Sequence, residues 1–162
     1  MSQTNLITVD RRWLICGALV FPVAFSGAAI AAVPVKPLQM TVYKDPQCGC
    51  CTAWADLLRR DARYAVRVVA TDMAAVKQRL RVPAELASCH TATVGGYVLE
   101  GHVPPADVAR LLATRPRGVI GIAVPGMPTG SPGMETPDGR REAFEVVAFR
   151  VDGTRSTFAR HG

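Results

Sequence analysis

Aromatic residues make up only 6% of this 162-residue chain, and neither sign of charge forms a dense run, although the net charge is +6. Single arginines scattered over the chain, with little aromatic surface on which bases can stack, do not make a nucleic-acid-binding groove. There is no Ser/His/Asp grouping, no phosphate-cradling glycine loop and no pair of carboxylates at a useful spacing, so hydrolase and kinase chemistry have no residues to rest on. Histidine is scarce, with His90, His102 and His161 the whole complement. Cysteine is scarce in number, five residues, but not in placement: Cys48, Cys50 and Cys51 fall within four positions.

Residues 1–31 read as a cleavable export signal. Arg11-Arg12 precedes an apolar stretch running from Trp13 to about Ile30, and small residues end it at Ala31. The arginine pair partly resembles a twin-arginine signal, but Asp10 stands where Ser or Thr is usual and no Lys follows, so the Sec and twin-arginine routes both stay open. The apolar length approaches that of a spanning anchor, whereas Pro22, the glycines and the small-residue end favour cleavage. Cys16 comes before most of the apolar region and does not fit a lipoprotein. The expected product is a single domain, residues 32–162, in the periplasm and without stable membrane association. Without Asp10, Arg11 and Arg12, the 19 basic and 13 acidic residues fall to 17 and 12, a net charge of +5. Four cysteines remain in a compartment that permits disulfides.

The mature chain alternates between two periods. Met40–Asp45 reads as a short strand broken by Pro46 and Gly49, and from Cys51 onward Trp54, Leu57 and Leu58 follow helical spacing. Tyr64–Ala70 is a second, Val-rich strand. Asp72 is placed to cap a helix with Met73, Val76 and Leu80 on one face, ending before Pro83. Thr91–Glu100 suits a hairpin turning at Gly95-Gly96. Pro104-Pro105 opens a third helix, with Val108, Leu111 and Leu112 at helical spacing, and Pro116 closes it. The resulting order, β-α-β-α-β-β-α, is an α/β fold of thioredoxin-like type. After Gly118–Val124 it continues into a loop from Pro125 to Gly139 with four Pro, four Gly and two Met, including Pro-Gly-Met twice. A C-terminal hairpin around Asp152-Gly153 ends the chain. A loop of that length without internal structure is unusual in a small domain unless it has a job or is disordered.

The cysteines sit where a strand turns into a helix, and free N–H groups at a helix N-terminus favour thiolates. Cys48-x-x-Cys51 has the spacing of a thiol–disulfide redox pair. The third thiol, Cys50, has no job there. Adjacent side chains at 50 and 51 diverge, which suits bridging between several ions better than closing one tetrahedral site, and soft thiolates favour Cu(I). Structural zinc usually pairs two separated C-x-x-C units, and here Cys89 arrives alone. Two structural disulfides are the plainer alternative, although a Cys50–Cys51 bond would be strained. In a glutaredoxin-like order Cys89 precedes the hairpin at the point where a cis-proline faces the active-site thiols, and this analogy brings it to the other three.

Four stretches together resemble the CopG family of copper-resistance proteins. They are Tyr43-Lys-x-Pro-x-Cys-Gly-Cys-Cys-x-x-Trp54, Glu85-Leu-Ala-Ser-Cys-His-Thr91, Gly96-Tyr-Val-Leu-Glu-Gly-His-Val-Pro104 and Ala123-Val-Pro-Gly-Met-Pro-x-Gly-Ser-Pro-Gly-Met-Glu135. The resemblance spans nearly the whole mature chain. It implies a periplasmic thioredoxin-like protein holding a multinuclear copper cluster on the C-x-C-C motif and one further cysteine, with a role in interconverting Cu(I) and Cu(II). Cys48, Cys50, Cys51 and Cys89 match those ligands. Many relatives have a His three residues after the motif's Trp; this chain has Leu57 there, which leaves a secondary copper site needing that imidazole without its ligand.

Other residues are secondary candidates. Met127 and Met134 offer thioether sulfur on a loop able to fold over the cysteines, or packing onto the core. His90, beside Cys89, is the stronger histidine candidate, as ligand or support; His102 is expected in a surface-like turn and His161 in solvent. Trp54 is expected to shield the site or fill the core, and Met40 and Met73 to be core residues. The functional expectation is a copper-binding protein contributing to copper tolerance by sequestration or by changing the oxidation state of copper. It would hold Cu(I), and Cu(II) if it turns over, and meet other periplasmic copper-handling proteins. The alternatives are a thiol–disulfide oxidoreductase using Cys48 and Cys51, and a metal-free, disulfide-stapled binding module.

Overall fold

The computed structural model describes residues 36–162. The expected export signal and its cleavage point lie outside the described residues. Among the described residues no helix is long and apolar enough to cross a membrane.

The chain runs β1 (Leu38–Lys44), α1 (Gly49–Arg59), β2 (Tyr64–Ala70), α2 (Met73–Arg79), a short 3-10 turn at Ala84–Leu86, β3 (His90–Val94), β4 (Tyr97–Glu100), α3 (Pro105–Thr114), β5 (Val119–Ala123), β6 (Phe144–Arg150) and β7 (Arg155–His161). All seven strands join one mixed sheet in the order β2-β1-β3-β4-β5-β6-β7. Its first four strands, with β1 parallel to β2 and antiparallel to β3, and β3 antiparallel to β4, have the arrangement expected of a thioredoxin-like core. The expected turn signals act as read. The Asp72 side chain accepts the N–H of Ala74 at 2.9 Å, Gly95 and Gly96 both take positive φ at the β3–β4 turn, and Arg115 in the left-handed region ends α3 before Pro116.

Side chains alternate across the sheet and sort the core into two faces. Met40, Val42, Leu99 and Ile122 pack with Trp54, Ala55 and Leu58 of α1 and with Val108 and Leu111 of α3. Their strand neighbours Val98 and Ala123 point the other way, joining Phe149, Leu86, Leu80 and Val82. The helix stripes shift slightly from the sequence reading. Leu57 is only half-buried and Ala55 takes the buried place, while Met73 on α2 is half-buried where Met40 is fully enclosed.

Gly118–Val124 provides β5, which pairs parallel to β4 after the α3 crossover and extends the sheet toward the C-terminal hairpin of β6 and β7. A side chain at Gly121 would stand 2.4 Å from both the Phe149 ring and the Val98 carbonyl, so only glycine lets Phe149 cover this strand.

Topology directs four segments to one end of the sheet. The register sets Lys44, last in β1, against His90, first in β3, and sets Thr91 against Glu100, last in β4. Glu100 in turn lies beside Ala123, last in β5. The Cys48 loop, Cys89, His102 and the long Pro/Gly/Met loop therefore all leave the sheet at the same edge.

Candidate metal centre

The Cys48–Cys51 segment forms the first turn of α1, with Cys48 as N-cap residue. Its side chain makes no capping hydrogen bond, so no side-chain oxygen occupies the helix N-terminus beside the sulfurs. Cys48 and Cys51 form a disulfide with their Cα atoms 5.5 Å apart, and Cys50 and Cys89 are free. Of the two disulfides entertained from the sequence, one is present, and no Cys50–Cys51 bond forms. Cys50 Sγ lies 3.5 Å from Cys48 Sγ. The four sulfurs of Cys48, Cys50, Cys51 and Cys89 all fall within 4.8 Å of one another, so the lone Cys89 does meet the motif.

Cys89 belongs to a second cluster as well. Its sulfur is 3.2 Å from His90 Nδ1 and 3.1 Å from His102 Nε2. His102 is fully buried, not in a surface turn as its sequence context suggested. The turn after β4 folds back beneath the Pro/Gly/Met loop, where His102 Nδ1 donates to the Pro132 carbonyl at 2.8 Å. A carbonyl can only accept, so the ring proton sits on Nδ1 and the Nε2 lone pair faces the Cys89 sulfur. Backbone carbonyls orient metal-ligating imidazoles in this way. His90 is equally enclosed, and its Nε2 is buried without a partner among the described residues.

Trp54 does both jobs considered for it. Its buried indole donates N–H to the Val103 carbonyl at 2.8 Å, and its ring centroid stands 4.5 Å from that of His90, which in turn meets His102 edge-on at 5.0 Å. Besides the Pro132 carbonyl, the loop covers the site at two further points. Ser88 Oγ donates to the Gly126 carbonyl, one residue before Met127, and Gly133, one residue before Met134, lies against α1. A Cβ at Gly133 would be 2.9 Å from the Trp54 nitrogen and 3.1 Å from the Cys50 carbonyl, and its φ of +84° is open to glycine alone. Met134 is half-buried and Met127 is 53% exposed.

Burial sets the electrostatics. Desolvation, with a charge on Cys50 adding to it and the Ser88 hydroxyl opposing, pushes the Cys89 thiol up to about 11. Desolvation, helped by His102 and Lys77, pulls His90 down to about 3, and it also lowers His102 against the Pro132 carbonyl and the Glu135 charge. Both imidazoles are thus neutral and free to bind a cation, and a soft metal would displace the Cys89 proton.

His161 keeps 35% of its side chain exposed but is held by partners rather than free in solvent. Pairing of β7 with β6 carries the chain end to α3, where His161 Nε2 meets Asp107 Oδ2 at 2.6 Å and the ring stacks on Phe144. Two participants went unread in the sequence, Glu100 and Ser88. Glu100 closes an apolar strand and is fully buried, accepting from Lys77 Nζ, from Thr91 Oγ1 and from the Ser88 N–H. Its cation stands 23 positions away on α2, beyond the reach of local pattern.

The family described as "Protein of unknown function, DUF411" matches residues 86–134, the stretch that holds Cys89, His90, His102 and both loop methionines. No curated protein matches the chain. Among solved structures, "Copper resistance protein copG- Form 1" is similar at 43% identity and a TM-score of 0.71, covering 77% of this chain and 98% of its own. Its Form 2 agrees at the same identity and TM-score over 78% and 99%. At that identity, and with nearly the whole of the relative matched, the chain belongs to the CopG family of copper-resistance proteins.

Proposed function

We propose that this protein is exported to the periplasm and holds a cysteine-bridged multinuclear copper cluster, with copper as its cargo, on Cys48, Cys50, Cys51 and Cys89. It contributes to copper resistance by sequestering the metal or interconverting Cu(I) and Cu(II). The observation that carries this reading is the convergence of four sulfurs within 4.8 Å around a helix N-terminus. Thiolates are soft, bridge readily and suit Cu(I), and the neutral nitrogens of His102 and His90 supply donors that also accept Cu(II). The named relatives are copper-resistance proteins, which supports copper over zinc as the ion. Met127 and Met134, on the loop pinned at Gly126 and Gly133, are the soft donors available to close over the cluster.

The disulfide favours a second reading, a thiol–disulfide oxidoreductase using Cys48 and Cys51. The two are linked, since two electrons and two protons are needed to convert that disulfide into the thiols a four-sulfur site requires.

The deciding experiment is metal content and thiol count on the mature protein, purified without oxygen from a periplasmic fraction. Several copper ions per chain and four thiols after metal removal are expected, on a chain beginning near Ala32. A copper-free protein that cycles between two and four thiols with a disulfide substrate would favour the oxidoreductase. Full-length chain recovered in the membrane fraction would overturn export.

A further inference from the structure

The Cys89–His90 dipeptide is bracketed by a single buried carboxylate. Glu100 accepts the N–H of Ser88, immediately before Cys89, at 2.6 Å through Oε1, and the hydroxyl of Thr91, immediately after His90, at 2.6 Å through Oε2. Lys77 Nζ, reaching in from α2, donates to the same Oε1 and to Thr91 Oγ1 at 3.1 Å. The carboxylate is 0% exposed while the lysine side chain keeps 17% exposure. A buried charged pair of this kind contributes little net stability over an apolar pair. Its value here is directional, because the Ser88 N–H lies in a loop with no strand neighbour to accept it. Ser88 then passes the constraint on, since its hydroxyl donates to the Gly126 carbonyl at the start of the Pro/Gly/Met loop.

We propose that Glu100 is the positioning residue of the metal centre: through the Ser88 amide it fixes the Cys89 sulfur opposite the Cys48 loop, and through Ser88 it anchors the covering loop. This rests on the reading of Cys89 as a ligand of the proposed copper site, but the placement of Cys89 is measurable without metal.

The test is pulse alkylation of the metal-free protein, resolved by peptide mass into Cys50 and Cys89, on the wild type, Glu100→Gln and Glu100→Leu. The glutamine keeps an acceptor for Ser88 and a donor for the rotatable Thr91 hydroxyl, so its Cys89 should react at the wild-type rate. The leucine fills the space but orphans a buried N–H, so Cys89 alone should react about tenfold faster. Cu(I) retention against a chelator should fall in the same variant and be restored by glutamine. Equal acceleration at Cys50 and Cys89, or a folded Glu100→Leu with wild-type Cys89 reactivity, overturns the proposal. Should the leucine variant not fold, Glu100→Asp, which withdraws the same charge by one methylene, takes its place with the same selective acceleration required. If Cys89 responds as expected while no variant holds copper, the positioning stands and the copper reading falls.

Discussion

Cys89 Sγ and His102 Nε2 stand 3.1 Å apart across the mouth formed by β3 and β4, with the imidazole held in the tautomer that presents its lone pair to the sulfur. The contact joins the four-sulfur cluster to the two buried histidines, so Cys89 is the one residue common to both donor sets.

Replacing Cys89 with serine should therefore lower the copper bound per chain and leave the protein folded. A hydroxyl is a hard donor and does not bridge soft ions, whereas a half-buried Sγ-to-Oγ change costs stability of only about 1 kcal/mol. Metal analysis alongside thermal unfolding checks both halves. An unchanged stoichiometry would remove Cys89 from the ligand set.

Besides the Pro132 carbonyl that holds His102, the loop meets the site one residue before each methionine, at Gly126 and Gly133. Met127→Leu with Met134→Leu preserves volume and apolar character, so the unfolding free energy should shift by less than about 1.5 kcal/mol. Cu(I) should nonetheless pass faster to a competing chelator. Retention equal to wild type would make both methionines packing residues.

Cys50 separates the copper protein from the oxidoreductase. It occupies the second position of α1, where the backbone N–H needs no helical partner and proline is tolerated, so Cys50→Pro should fold and carry a C-G-P-C motif. A two-thiol mechanism loses nothing by it, while a bridged cluster loses one thiolate. Bound copper and cellular copper tolerance should both fall. Full tolerance with intact disulfide exchange would favour the oxidoreductase.

The burial of His90 has a pH signature in the metal-free protein. The unfolded imidazole titrates near 6.5 and the folded one at about 3, so the unfolded chain binds the extra proton between those values. The stabilising preference for neutral His90 is fully present above 6.5 and is lost as pH falls toward 3. Urea unfolding from pH 7 downward should show wild-type stability falling relative to His90→Gln across that window. Parallel curves for the two proteins would contradict a buried neutral His90.

Local chemistry determined much of this protein before any folding. Turn glycines and prolines, the Asp72 cap and the two hydrophobic periods set the strand and helix order, because each acts over a few residues. The C-x-C-C spacing carried its own chemistry at a helix start, and the family motifs were legible in the same way. Met40 and Trp54 were readable as core because their neighbours supply the pattern.

What only the tertiary structure decided were contacts between segments that share no local signal. His102 looked exposed because its covering partner, the Pro132 carbonyl, lies thirty positions on. His161 looked solvated because strand pairing, not its own surroundings, carries it to Asp107. Glu100 was silent because a charge ending an apolar strand reads as a solvated turn until Lys77, Thr91 and the Ser88 amide close around it. The physical reason is common to all three: desolvating a polar group is tolerable only when partners meet it, and those partners are brought by the sheet register, which sets the ends of β1, β3, β4 and β5 at one edge.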